Sequence, residues 1–239
     1  MKSTFVQTLL FCLLLTSFQV EAQYKRIKGE GPMVTKTLEL DPFTAIDLGT
    51  SANVLLTQGD RQSVEVNGQQ NIIDRLKTQV SNGKWNIQMQ RGSYSYKEMT
   101  IKITIPKLTG VSVSGSGDVR GSNRFTNVDD LKIRVGGSGN VVLDMEANDI
   151  NTAIMGSGNI NLEGQASNFE VKVSGSGNVK AQNLTARNCK VQINGSGNAK
   201  VNVDGELNVL INGSGNVVYK GDAKVRSKIN GSGDVRGGK

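Results

Sequence analysis

Seven Asx residues occupy one recurring position in this chain: Asp118, Asn140, Asn159, Asn178, Asn198, Asn216 and Asp234. Each closes a Gly-Ser-Gly-Asn/Asp tetrapeptide, and successive tetrapeptides lie 18 to 22 residues apart. Amides at a fixed repeat have two uses. Stacked in register, they hydrogen-bond along a file, as in amide ladders. Together with the serines of the same tetrapeptides (Ser116, Ser138, Ser157, Ser176, Ser196, Ser214, Ser232), they could instead line a groove that binds glycan hydroxyls or cations. A dense calcium array is disfavoured. Five of the seven residues are neutral Asn, and the pattern is not the Gly-Gly-x-Gly-x-Asp calcium repeat.

Other chemistry is sparse. The chain has no histidine, which excludes Ser-His-Asp and Cys-His nucleophile systems and His-based metal sites. Of its two cysteines, Cys12 lies in an N-terminal apolar run. Cys189, in Cys189-Lys190-Val191-Gln192-Ile193, reads as a small buried apolar residue with no disulfide partner. Paired carboxylates could do glycosidase-like work. The candidates Asp129, Asp130, Asp144, Glu146 and Asp149 fall in connecting segments at no repeated spacing, and read as turn formers and solvated groups. No catalytic, cofactor-binding or metal-binding residue is assigned, and the expectation is a protein that is not an enzyme.

The period says what must position the Asx file. Repeats this short cannot bury their own apolar face, so they stack as a solenoid. In Phe169-Glu170-Val171-Lys172-Val173-Ser174 the apolar residues alternate, as in a strand with one face inward. Gly175-Ser176-Gly177 then gives backbone freedom for a corner, and Asn178 suits a left-handed conformation there. The chain returns to extended form with Val179 pointing in, and Asn183–Asn188 makes an outer connection. The interior files are β-branched or small, which fits stacked parallel strands. The fold expected is all-β: a right-handed parallel β-helix. An antiparallel sandwich or barrel of the same strands is the alternative.

Four sections follow: a signal peptide over 1–22, a lead segment over 23–42, irregular first coils forming an N-terminal cap over 43–110, and a regular β-helix of seven repeats over 111–239. Phe43–Val54 can be laid over Leu108–Val119 as a degenerate coil, with Ala52 in place of the second glycine. Strands are expected at 63–66, 84–89 and 100–106, a short helical turn near 71–76, and a polar aromatic loop at 91–96. Asn82-Gly83 signals a tight hairpin. The last bend is followed only by a short tail ending in Gly237-Gly238-Lys239, with no polar cap evident. Either a loop or another molecule should cover that end, and it could serve for self-association into a homo-oligomer.

The N-terminal 22 residues have the pattern of a secretory signal: Lys2, the run Leu9–Leu15, and Val20-Glu21-Ala22 before Gln23. The apolar run is too short to span a bilayer, which takes about 20 residues. No other segment comes near a transmembrane span. Export is therefore expected. The net charge of +7 is spread along alternating strand positions. It reads as a solvated surface, with attraction to anionic polysaccharide or lipopolysaccharide a further option. Nucleic acid is disfavoured, because no basic-aromatic cluster offers a stacking platform.

The Gly-Ser-Gly-Asn/Asp repeats, together with Ile46-Asp47-Leu48-Gly49-Thr50-Ser51-Ala52-Asn53-Val54-Leu55-Leu56-Thr57-Gln58-Gly59, resemble the bacterial family described as "putative auto-transporter adhesin, head GIN domain". The resemblance runs over about 33–239. It implies an exported β-helix-like protein of the periplasm or outer cell surface of a bacterium and carries over no catalytic residues. The function expected is a non-enzymatic adhesion or binding module for a glycan or envelope protein. A purely structural envelope protein and a polysaccharide-active enzyme are the competing classes, the enzyme resting on fold analogy alone.

Overall fold

Alternating apolar residues bounded by glycine corners build a stack of parallel strands. The computed structural model describes residues 26–238; the expected signal peptide, 1–22, lies outside the described residues. The fold is a parallel β-solenoid of about seven turns. The regular part comprises β10 (Gly110–Val113), β11 (Val119–Gly121), β12 (Phe125–Val135), β13 (Val141–Ile154), β14 (Ile160–Val173), β15 (Val179–Ile193), β16 (Ala199–Ile211), β17 (Val217–Lys220), β18 (Lys224–Ile229) and β19 (Val235–Gly237). Coil lies on coil in register: Val171 pairs with Thr152 below it and Val191 above it.

The expected outer connection is itself a wall. In β15 the buried residues are Val179 and Ala181, then Leu184 and Ala186, then Cys189, Val191 and Ile193. Exposed pairs, Gln182–Asn183 and Arg187–Asn188, interrupt the alternation twice. Two extra corners therefore divide each coil into three faces, and residues 183–186 pair with residues 163–166 of the coil beneath. Valine, isoleucine and alanine fill the narrow interior, as parallel strands require.

The bend glycines serve a purpose other than the one expected. None of the Gly-Ser-Gly glycines has a positive φ, and neither do the Asx residues that follow them. The reason for glycine is contact between coils. A Cβ on Gly139, Gly158, Gly177 or Gly197 would run into the carbonyl oxygen of the equivalent glycine one coil below. The backbones pass too closely there for any side chain.

The first half departs from chain order. It contains β1 (Ile27–Lys28), β2 (Met33–Thr37), β3 (Ala45–Leu48), β4 (Asn53–Gln58), β5 (Ser63–Gln69), β6 (Val80–Ser81), β7 (Lys84–Ile87), β8 (Tyr94–Ser95) and β9 (Thr100–Ile105), with one short helix, α1 (Gln70–Ile73). The degenerate copy forms a true coil: β3 pairs with β10, and β4 with β11. The later strands β7 and β9 lie on its far side, pairing with β3 and β4. The chain thus lays one coil, places a second beneath it, and steps back over the first to continue upward. Antiparallel β5 and β2 then cover the outer edge of β9, which removes a strand edge that would otherwise template association.

The hairpin at Asn82-Gly83 forms, with φ of 51° and 67° at the two residues and Val80 opposite Trp85. Trp85 is fully buried, packs on Phe43 and donates from Nε1 to the Lys77 carbonyl at 3.0 Å. The loop expected at 91–96 contributes β8, which pairs with β1. At the opposite end β18 pairs only with β16, and β19 only with β17, among the described residues. No loop covers that edge there. Lys224, Arg226, Lys228 and Arg236 stand along it, and edge cations discourage strand addition.

Candidate functional site

The Asx file is a hydrogen-bonded ladder. Nδ2 of Asn140 donates to Asp118 Oδ1 at 2.9 Å, Asn159 to Asn140 at 2.9 Å, Asn178 to Asn159 at 3.0 Å, Asn198 to Asn178 at 2.9 Å and Asn216 to Asn198 at 3.1 Å. Each Oδ1 also accepts the backbone N–H of the Asx one coil above. Every amide points its N–H toward the lower coil. Asp118 can therefore begin the ladder, since only an acceptor is needed there. Asp234 stands in line at the other end and takes part through its backbone carbonyl, which accepts from Val217 N at 2.8 Å. An ionised carboxylate has no N–H to offer Asn216. The serines of the bends are exposed.

Two shorter files were not anticipated. Asn212 donates to Asn194 at 2.9 Å and Asn230 to Asn212 at 2.8 Å. On another corner Asn168 donates to Asp149 at 2.8 Å and Asn188 to Asn168 at 3.1 Å. Their signal in the sequence is asparagine recurring at the same 18-to-20-residue interval.

The five carboxylates considered for catalysis have structural partners. Arg124 bridges Asp144 at 3.0 Å and Glu146 at 3.4 Å. Asp130 accepts from Asn151 at 3.1 Å and pairs with Lys132 at 3.2 Å, and Asp129 lies 3.8 Å from Lys107. Asp149 is bound by Asn168. Burial pushes the Cys189 thiol up to about 12, so it stays protonated and unreactive. Among the described residues no group of three or more His, Cys, Asp or Glu could hold a metal ion. No helix among them is long and apolar enough to cross a membrane.

None of the ladder residues lines the cavity beside the short middle strands. That cavity is an open trough of about 1030 Å³ on the middle wall. Its floor is the backbone of a file whose side chains turn toward the core: Val128 beside Ala147, and Ala147 beside Ala166. A second file, Glu146 beside Gln165 and Gln165 beside Thr185, stands along one flank. Asn148, Ser167, Arg187 and Asp204 add further polar groups. Asn127, at a φ of 57°, turns the chain at one margin, a conformation that Asn tolerates better than most residues. Gly164, at a φ of 108°, occupies the same wall, where a Cβ would strike the Met145 carbonyl. Of the residues singled out from sequence, Asp129 and Glu146 reach this trough.

The geometry is that of a three-walled parallel solenoid carrying an amide ladder and a polar trough. Residues 42–223 match the family described as "Putative auto-transporter adhesin, head GIN domain", and the chain belongs to that family. Among solved structures it is similar to a "putative adhesin" from Bacteroides fragilis, at 28% identity and a TM-score of 0.84, covering 88% of this chain and 99% of that one. It is also similar to a "putative lipid binding protein" from Parabacteroides distasonis, at 26% identity and a TM-score of 0.74, covering 90% and 100%. A "putative adhesin" from the same organism, at 24% identity and a TM-score of 0.71 over 90% and 100%, shares the fold. No curated protein matches the chain.

Proposed function

We propose that this protein is a non-enzymatic, exported binding module of the bacterial cell envelope that holds an extended glycan in the trough of its middle wall. The trough carries this reading. It is open and polar, its flank repeats amide, hydroxyl and carboxylate groups at the coil spacing, and its floor, where the side chains turn inward, leaves a sugar chain room to lie across successive coils. Adhesin is also the word attached to the similar Bacteroides structure. The lining is too polar for an acyl chain, which needs a mainly apolar slot.

The test is an array of host and bacterial glycans probed with the wild type and a Gln165→Ala/Ser167→Ala variant. Both side chains are exposed, so the fold should not change. Two hydrogen bonds of about 1 kcal/mol each predict at least a tenfold loss of affinity. Absence of glycan binding by the wild type would favour a purely structural role. Wild-type affinity in the variant would remove the trough from consideration.

A further inference from the structure

On the wall built by β7, β3, β10 and β12 the outward residues form two files. One runs Lys84, Ala45, Gly110, Lys132. The other runs Asn86, Asp47, Ser112, Arg134. The centre of the first file carries almost no side chain, and a Cβ on Gly110 would stand 3.2 Å from that of Ala45. An open cavity of about 600 Å³ results. Lys84 and Lys132 stand at its two ends, three strand spacings or about 14 Å apart. Lys107 and Arg134 extend the rim.

The charge balance there is positive. Two of the four cations have exposed acidic neighbours: Lys132 with Asp130 at 3.2 Å, and Lys107 with Asp129 at 3.8 Å. Lys84 and Arg134 have no ion pair among the described residues. Asp47, the remaining carboxylate of the two files, is engaged by Ser114, whose Oγ donates to it at 2.9 Å. Elsewhere on this face Lys172 and Lys190 share one carboxylate, Glu170, at 3.0 and 3.8 Å, with no small-residue floor between them.

We propose that this notch binds an acidic polysaccharide, its sugar carboxylates held by Lys84 and Arg134 and its ring lying on the floor of Ala45 and Gly110. Asn86 and Ser112 supply an amide and a hydroxyl of the kind that recognise sugar hydroxyls. The notch adjoins the trough at Asp129, but Lys84, Arg134, Ala45 and Gly110 do not line the trough. No aromatic side chain lines the notch to stack a nucleobase, and its lining is not the apolar slot an acyl chain needs.

Calorimetric titration of the whole protein with size-defined oligogalacturonate tests this. The wild type should bind, with affinity falling as salt rises. Lys84→Ala/Arg134→Ala should lose at least about tenfold, the equivalent of 1.4 kcal/mol. Ala45→Gln, which fills the floor without changing charge, should lose binding as well. Lys172→Ala/Lys190→Ala, with the same change in net charge elsewhere, should stay within about twofold, as should Gln165→Ala/Ser167→Ala in the trough. No binding by the wild type, equal losses in the two charge variants, or a single-stranded DNA oligomer binding as tightly would each overturn the proposal.

Discussion

Gly177→Ala is expected to destabilise the protein by about 3 kcal/mol, although it adds one methyl group at a surface bend. The new Cβ would press into the carbonyl oxygen of Gly158 and stand 2.9 Å from Ile154 Cγ2. Overpacking costs about 1–3 kcal/mol in ordinary cores and more where neighbours cannot yield. Here the obstacle is the backbone of the next coil. It is pinned by the same bend, where Ser176 N donates to the Gly156 carbonyl at 3.1 Å. Coil 156–159 can move only by breaking register with its own neighbours. A loss of that size lowers Tm by roughly 10 °C in a protein of this length. Gly136→Ala is the control. No heavy atom lies within 4 Å of its Cβ position and its φ is not positive, so the substitution should be neutral or stabilising by up to about 1 kcal/mol. Thermal unfolding of the two variants beside the wild type checks both. Equal stability would mean that the bends do not stack.

Asn178→Ala should cost about 2–4 kcal/mol. The substitution removes the amide that donates to Asn159, and the oxygen that accepts both the backbone N–H of Asn198 at 3.1 Å and its Nδ2 at 2.9 Å. Each net bond contributes about 1 kcal/mol, and a half-buried backbone N–H left unpaired adds to the loss. Asn178→Asp separates the two halves of the role. Its oxygens still accept from Asn198, but an ionised carboxylate faces Asn159 Oδ1 with no proton to give. That opposition raises the carboxyl pKa in the folded state, so the variant should be destabilised at neutral pH and regain stability as pH falls and the carboxyl protonates. Denaturant unfolding at two pH values reads the effect. The native chain obeys the same rule: aspartate begins the ladder at Asp118, where only an acceptor is required, and the five positions that must donate are asparagine.

Much of this was legible in the residues. The tetrapeptide period announced the stack, the recurring Asx announced the ladder, and Phe43–Val54 declared itself a coil by matching Leu108–Val119. What stayed hidden depended on long-range contact. The glycines of the bends are required by atoms about 20 residues away, so a local reading assigned them backbone freedom they do not use. The third wall escaped notice because its inward residues, such as Leu184 and Ala186, are set off from the flanking strands by two-residue corners that disrupt simple alternation. The position of β7 and β9 beneath β3 and β4 carries no marker: neither strand is joined to a Gly-Ser-Gly bend, and chain order suggested the reverse. The trough and the notch inherit that difficulty. Ala147 and Ala166, or Ala45 and Gly110, look unremarkable singly and become floors only when the register sets them side by side.

Coil order underlies both proposed surfaces and can be measured as distance. Pulsed electron paramagnetic resonance between a spin label at Lys228→Cys and a second at Arg134→Cys, Ser112→Cys, Asp47→Cys or Asn86→Cys samples one outward file; Cys189 is buried and takes no label. The register places these sites five, six, seven and eight strand spacings from Lys228. At about 4.8 Å per coil the backbone separations are roughly 24, 29, 34 and 38 Å. The account predicts that Asn86 is the farthest of the four, beyond Asp47. Distances that followed chain order, with Asn86 nearer to Lys228 than Asp47, would contradict it.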